Sequence, residues 1–172
     1  MGTGCDEGRM GAWMTLIQTQ AAVVEQLESS LVNEVGLPLS WHEVLVRLEA
    51  TPDGRLRMQE LARSVLLSKS GVTRLVDRMV DAGLVKRDAC ASDRRVVYAG
   101  ITDEGRERLE RAVPVFLRGF DEYFAQHISD EDASAVRAAL GKVLTAHGRA
   151  DAGGCPSTYL QTPRRRVSAP TR

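Results

Sequence analysis

The sequence predicts a mainly α-helical protein that carries one small β-hairpin. Three observations predict it. Apolar residues recur at spacings of three and four through most of the first 148 positions, the period of helices buried on one face. Two β-like runs, Leu84 to Ala89 and Arg95 to Ile101, flank a polar tip and read as a hairpin. Aromatic residues make up only 5% of the 172 positions, which suits helical packing better than a β-sandwich.

Taken in order, Met1 to Met10 is Gly-rich and expected to be flexible. A long amphipathic helix follows from Gly11 to about Val35, its stripe made of Trp13, Leu16, Ile17, Val24, Leu27 and Leu31, and Gly36 and Pro38 end it. Ser40 and Glu43 form an expected capping box for a second helix, whose buried stripe is Trp41, Val44, Leu45 and Leu48. Thr51-Pro52-Asp53-Gly54 is a turn, after which Arg55-Leu56-Arg57 can add a short strand. A helix from Met58 to about Leu66, a turn near Leu67-Ser68 and a helix from Lys69 to Ala82 stopped by Gly83 lead into the hairpin. Thr102 caps the next helix, with Asp103 and Glu104 in the first turn, where the macrodipole favours acids. Its stripe is Leu109, Val113, Phe116, Leu117, Phe120 and Phe124, and Pro114 inside it predicts a kink or a break. Ser129 caps a last helix through Val136, Leu140, Val143 and Leu144, ending near Gly148. From 149 to 172 the chain is rich in Pro, Ser, Thr and Arg without a periodic apolar face, and reads as a disordered basic tail.

Length suits one domain with a real core. The formal net charge is zero, yet the charge is unevenly spread: from Gly54 to Arg95, ten basic side chains face five acidic ones, a net of about +5. That is a local binding face on a neutral protein. Cys5, Cys90 and Cys155 show neither CxxC nor histidine at metal-ligand spacing, so a reducing, cytoplasmic setting is expected, with no metal and no cofactor. No apolar run reaches membrane-spanning length, and no signal-peptide core stands at the N-terminus. His42, His127 and His147 are scattered, and no nucleophile–base pair or phosphate loop suggests an enzyme.

The helix from Lys69 to Ala82 carries the functional argument. Val72, Leu75, Val76 and Met79 sit at i, i+3, i+4 and i+7 and must face the core. The opposite face then holds Lys69, Ser70, Thr73, Arg74 and Asp77, with Arg78 on the flank and Ser68 just before the helix. Hydroxyls bond base edges or phosphates, arginine grips guanine bidentately, and the positive helix end attracts phosphate. By itself such a face is also what a solvated structural helix shows. The hairpin tip tilts the balance toward double-stranded DNA. There Asp93 can orient an arginine by a charge-assisted bond, so Arg94 and Arg95 are placed for a narrow minor groove.

The run Gly71 to Arg87, then Asp93-Arg94-Arg95, then Ile101-Thr102-Asp103-Glu104-Gly105, resembles the recognition helix, wing and following helix start of the MarR family of bacterial winged helix-turn-helix regulators. The resemblance covers about residues 11 to 148 in element order. It implies a winged helix at about 38–105 and N- and C-terminal dimerisation helices at about 11–36 and 102–148. It further implies a homodimer, a palindromic operator, a stress- or drug-linked response, and a small-molecule or oxidant signal that releases DNA. By position, the minor-groove arginine is Arg95, supported by Asp93, and the recognition residues are Lys69, Ser70, Thr73 and Arg74.

Trp13, Trp41 and His42 are candidate linings of a cavity for a small aromatic effector, with core packing as the plainer account. Cys90, on the wing, is a candidate oxidant sensor or a simple exposed thiol, and Cys5 lies near where some peroxide-sensing relatives carry a reactive cysteine. The expected function is a sequence-specific DNA-binding transcriptional regulator, a repressor rather than an activator. The rival is a winged helix serving as a protein–protein or dimerisation module without DNA binding.

Overall fold

The computed structural model describes residues 7–65, 69–89, 96–149 and Tyr159. Helix α1 (Glu7–Val35) begins inside the stretch expected to be flexible, so Glu7–Met10 are helical. Glu7 places a carboxylate in the first turn, where it meets the positive helix end. Gly36, at φ +63°, closes α1 in the left-handed conformation that glycine tolerates. Arg108 donates to the Val35 carbonyl at 3.1 Å, satisfying one of the acceptors that a helix end leaves open.

Helix α2 (Leu39–Glu49) corrects the expected start. The Ser40–Glu43 capping box does not form, because Pro38 takes the N-cap position with φ −58° and ψ 143° and puts Ser40 in the first turn. Glu28 of α1 caps from across the fold instead, accepting the Leu39 N–H at 2.6 Å. Trp41, expected in the buried stripe, is half-buried, whereas Leu39, His42, Val44, Leu45, Val46 and Leu48 are buried.

The short strand forms: β1 (Arg55–Arg57) follows a turn in which Gly54, at φ +65°, donates to the Thr51 carbonyl. Helix α3 (Met58–Ser64) ends short of Leu66, at an extended Val65. Helix α4 (Lys69–Asp81) is closed by Gly83 at φ +74°, with the Leu84 N–H reaching back to the Met79 carbonyl and the Gly83 N–H to Val80. Strands β2 (Val85–Ala89) and β3 (Val97–Ile101) pair antiparallel with Val85 opposite Ile101 and Ala89 opposite Val97. β1 joins the other edge of β3, Arg55 opposite Gly100 and Arg57 opposite Tyr98, so the sheet order is β1-β3-β2.

Helix α5 (Asp103–Tyr123) is capped by Thr102, whose hydroxyl accepts from the Gly105 N–H at 3.0 Å. It runs through Pro114 without the break that the sequence allowed. A 3-10 turn (Ala125–His127) leads to α6 (Asp130–Ala146), where Ser129 and Asp132 form a reciprocal capping box.

The core gathers Leu31, Leu45, Leu48, Leu61, Val76 and Met79 with Val85, Ala99 and Leu109, so α2, α3, α4, the sheet and the first half of α5 share one interior. The architecture is a winged helix-turn-helix with long helices on either side. The spacing in α1 is helical as expected, but only Leu27 and Leu31 of its stripe are buried. α6 buries none of its residues. Within the segment expected to be a loose tail, Tyr159 is half-buried and packs on the core, and residues 150–158 and 160–172 lie outside the described residues.

Candidate nucleic-acid interface

The roll of α4 follows from its sequence. Val72, Leu75, Val76 and Met79 are all buried, which turns Thr73, Arg74, Asp77 and Arg78 outward. Arg74 and Arg78 enter no ion pair among the described residues, so both guanidiniums stay available to an anionic surface. Lys69 and Ser70 open the helix at its positive end. Ser68, Asp93, Arg94, Arg95, Cys90 and Cys5 lie outside the described residues.

Asp77 would repel a phosphate if it stood alone. Arg87 of β2 lies 2.9 Å from its carboxylate and also donates to the Thr73 carbonyl at 3.2 Å. One side chain thus cancels the acid on the exposed face and ties the root of the hairpin to α4. Beside it, a cavity of about 350 Å³ is lined by Arg57, Met58, Gln59, Thr73, Arg87, Val96 and Val97, where α3, α4 and the sheet meet. On the far edge of the sheet, Arg55 and Arg57 lie 5.1 and 5.9 Å from the centre of the Tyr98 ring, and Arg57 donates to its hydroxyl at 3.3 Å. Arg55, Arg57 and Arg87 were counted in the sequence as part of a basic segment; the register puts Arg55 and Arg57 with Tyr98 on one face of the sheet and Arg87 with Ala99 on the other, toward Asp77 of α4.

The three residues nominated for a ligand pocket fare differently. Trp13 is 56% exposed on the outer part of α1, and Trp41 is half-buried. His42 is fully buried, and burial lowers its pKa to about 4, so its imidazole is neutral at pH 7. Its ring partners are residues that sequence reasoning did not connect with it. Phe116 of α5 stacks on it at 4.7 Å, and Tyr159 lies 5.9 Å away with its hydroxyl 3.5 Å from Nδ1. The His42 Nε2 is buried without a hydrogen-bond partner among the described residues. Among the described residues, no group of three or more His, Cys, Asp or Glu side chains is placed to hold a metal ion, and no helix is long and apolar enough to cross a membrane.

Known proteins share both this sequence and this shape. The MarR family model matches residues 35–96. AbsC, a MarR family transcriptional regulator from Streptomyces coelicolor, superposes with a TM-score of 0.78 at 30% identity, covering 86% of this chain and 99% of that one. Sco3205, another MarR family regulator from the same organism, solved in complex with DNA, superposes with a TM-score of 0.76 at 27% identity over 84% of this chain and 93% of its own. The HTH-type transcriptional repressor YetL of Bacillus subtilis is 28% identical over 139 residues, 81% of this chain and 82% of the relative. With the helix order, the β1-β3-β2 sheet and the outward face of α4, these likenesses establish that the chain belongs to the MarR family of transcriptional regulators.

Proposed function

We propose that this protein binds a palindromic DNA operator as a homodimeric repressor and leaves it when a small aromatic compound binds between α2 and α5. It acts by binding rather than catalysis, in the cytoplasm where its DNA lies. The observation that carries the reading is the outward face of α4: Thr73, Arg74 and Arg78 exposed, and the one acid among them neutralised by Arg87. Sco3205, with the same architecture, was solved on DNA, and YetL is named a repressor.

In this reading Thr73 and Arg74 meet base edges, and Arg78 meets phosphate. Ser68, Lys69 and Ser70 anchor the backbone at the positive end of α4. Arg95, held by Asp93, enters the minor groove with Arg94 beside it. The winged helix is the DNA-reading unit, α1 and the α5–α6 region assemble the dimer, and the buried rings around His42 receive the effector.

The test is binding to the DNA upstream of the protein's own gene across a salt series. The logarithm of affinity should fall linearly with the logarithm of salt, and that DNA should be preferred over random sequence. Equal affinity for the two DNAs at every salt concentration would overturn sequence-specific regulation.

A further inference from the structure

Tyr159 is ten residues beyond Arg149 in the sequence, and it comes to rest on the hydrophobic core. Its ring stacks on Phe116 at 4.9 Å with an interplanar angle of 18°, and its hydroxyl faces His42 Nδ1 at 3.5 Å. Phe116 also stacks on His42, so α5 and α2 together form a site that accepts one phenol ring and offers its hydroxyl a nitrogen. The same imidazole carries a buried Nε2 that has no partner among the described residues. Ring contacts and hydrogen bonds of this kind contribute about 1 kcal/mol each, the scale on which a free phenol offering the same ring and hydroxyl can compete.

We propose that Tyr159 is a built-in occupant of a phenol-binding site on His42 and Phe116, and that a free phenol displaces it. This rests on the proposed aromatic effector and names what that effector must compete with. Two points on the chain bear on the consequence. Arg149 donates to the Arg63 carbonyl near the end of α3, at 3.3 Å, and Tyr159 sits on α2 and α5. The ring thus follows Arg149, which touches α3 beside the DNA-reading helices, by ten positions in the sequence.

The Tyr159 ring competes with a free phenol in proportion to how often it fills the site. If it fills the site about nine-tenths of the time, an external phenol sees a site open about one-tenth of the time and binds roughly tenfold more weakly than to an empty one.

The probe is 4-methylphenol, the tyrosine side chain itself, titrated by calorimetry into the full-length protein. Tyr159→Ala should bind it about tenfold more tightly than the wild type, with Tyr159→Phe between the two. Adding His42→Leu to Tyr159→Ala should abolish the gain. Identical Kd values for wild type and Tyr159→Ala, or no binding to Tyr159→Ala, would overturn the proposal. Operator affinity measured on the same samples separates it from the effector reading. Tighter phenol binding by Tyr159→Ala upholds the built-in occupant whether or not DNA is released, whereas unchanged operator affinity at saturating phenol removes only the effector role.

Discussion

Burial holds the His42 imidazole neutral down to a pKa of about 4, against an ordinary value of 6.5. The unfolded chain therefore takes up this proton first as pH falls. Native stability is complete above about pH 6.5 and is lost progressively toward pH 4, by up to about 3 kcal/mol from this residue alone. Urea unfolding of the wild type and His42→Phe at pH 7 and pH 4 checks this: the substitution should remove that part of the pH dependence, and parallel losses in both proteins would contradict it. On α4 the single residues divide by what they touch. Arg74→Ala should cost about 1–3 kcal/mol of operator binding and relax sequence preference, as should Thr73→Ala at the lower end. Arg78→Ala should weaken all DNA evenly and reduce the salt slope by about one. If Arg74→Ala keeps the wild-type ratio of specific to random binding, the reading face is misplaced.

At the scale of elements, the join between the sheet and α5 leaves no room for a side chain at Gly105. A Cβ on Gly105 would press into the Leu84 carbonyl oxygen, with the Ile101 side chain 2.9 Å away. Gly105→Ala should thus destabilise the fold by about 1–3 kcal/mol, read by chemical denaturation; a neutral result would mean that α5 seats more loosely on Leu84. How far the sequence showed each element depends on where its partner lies. The starts of α5 and α6 were legible because Thr102 and Ser129 cap within three residues of themselves. The start of α2 was not, because its cap is Glu28, eleven residues earlier on another helix. The outward face of α4 could be read from four apolar positions, but the pairing of Asp77 with Arg87 required the fold to bring β2 alongside. Tyr159 was illegible for a different reason. One ring in an otherwise polar stretch has no period, and only its contact with Phe116 and His42 reveals it.

At the scale of the whole molecule, the same periodicity that located α1 and α6 could not say what covers them. Within one chain, Trp13, Met14 and Ile17 on α1 remain 56, 47 and 43% exposed, and Val136 and Val143 on α6 remain 45 and 56% exposed. Large apolar side chains grouped on two terminal helices mark a surface that a monomer leaves unfinished. In the homodimer proposed above, a second copy of the chain would finish it by a two-fold axis, which would also set two α4 helices about one turn of DNA apart, roughly 34 Å. These positions offer a clean test, because exposed substitutions seldom change monomer stability by more than about 0.5 kcal/mol. The pair Ile17→Glu and Val143→Glu should therefore keep the helical circular-dichroism signal while sedimentation shows a monomer. Each monomer would still recognise a half-site, but joining two half-sites on one body raises affinity by about 10²–10⁴-fold. Binding to the full operator should fall by that factor, and binding to an isolated half-site should hardly change. A doubly substituted protein that still sediments as a dimer would show that these faces are not the subunit interface; one that is monomeric yet grips the full operator undiminished would show that the DNA is read one chain at a time.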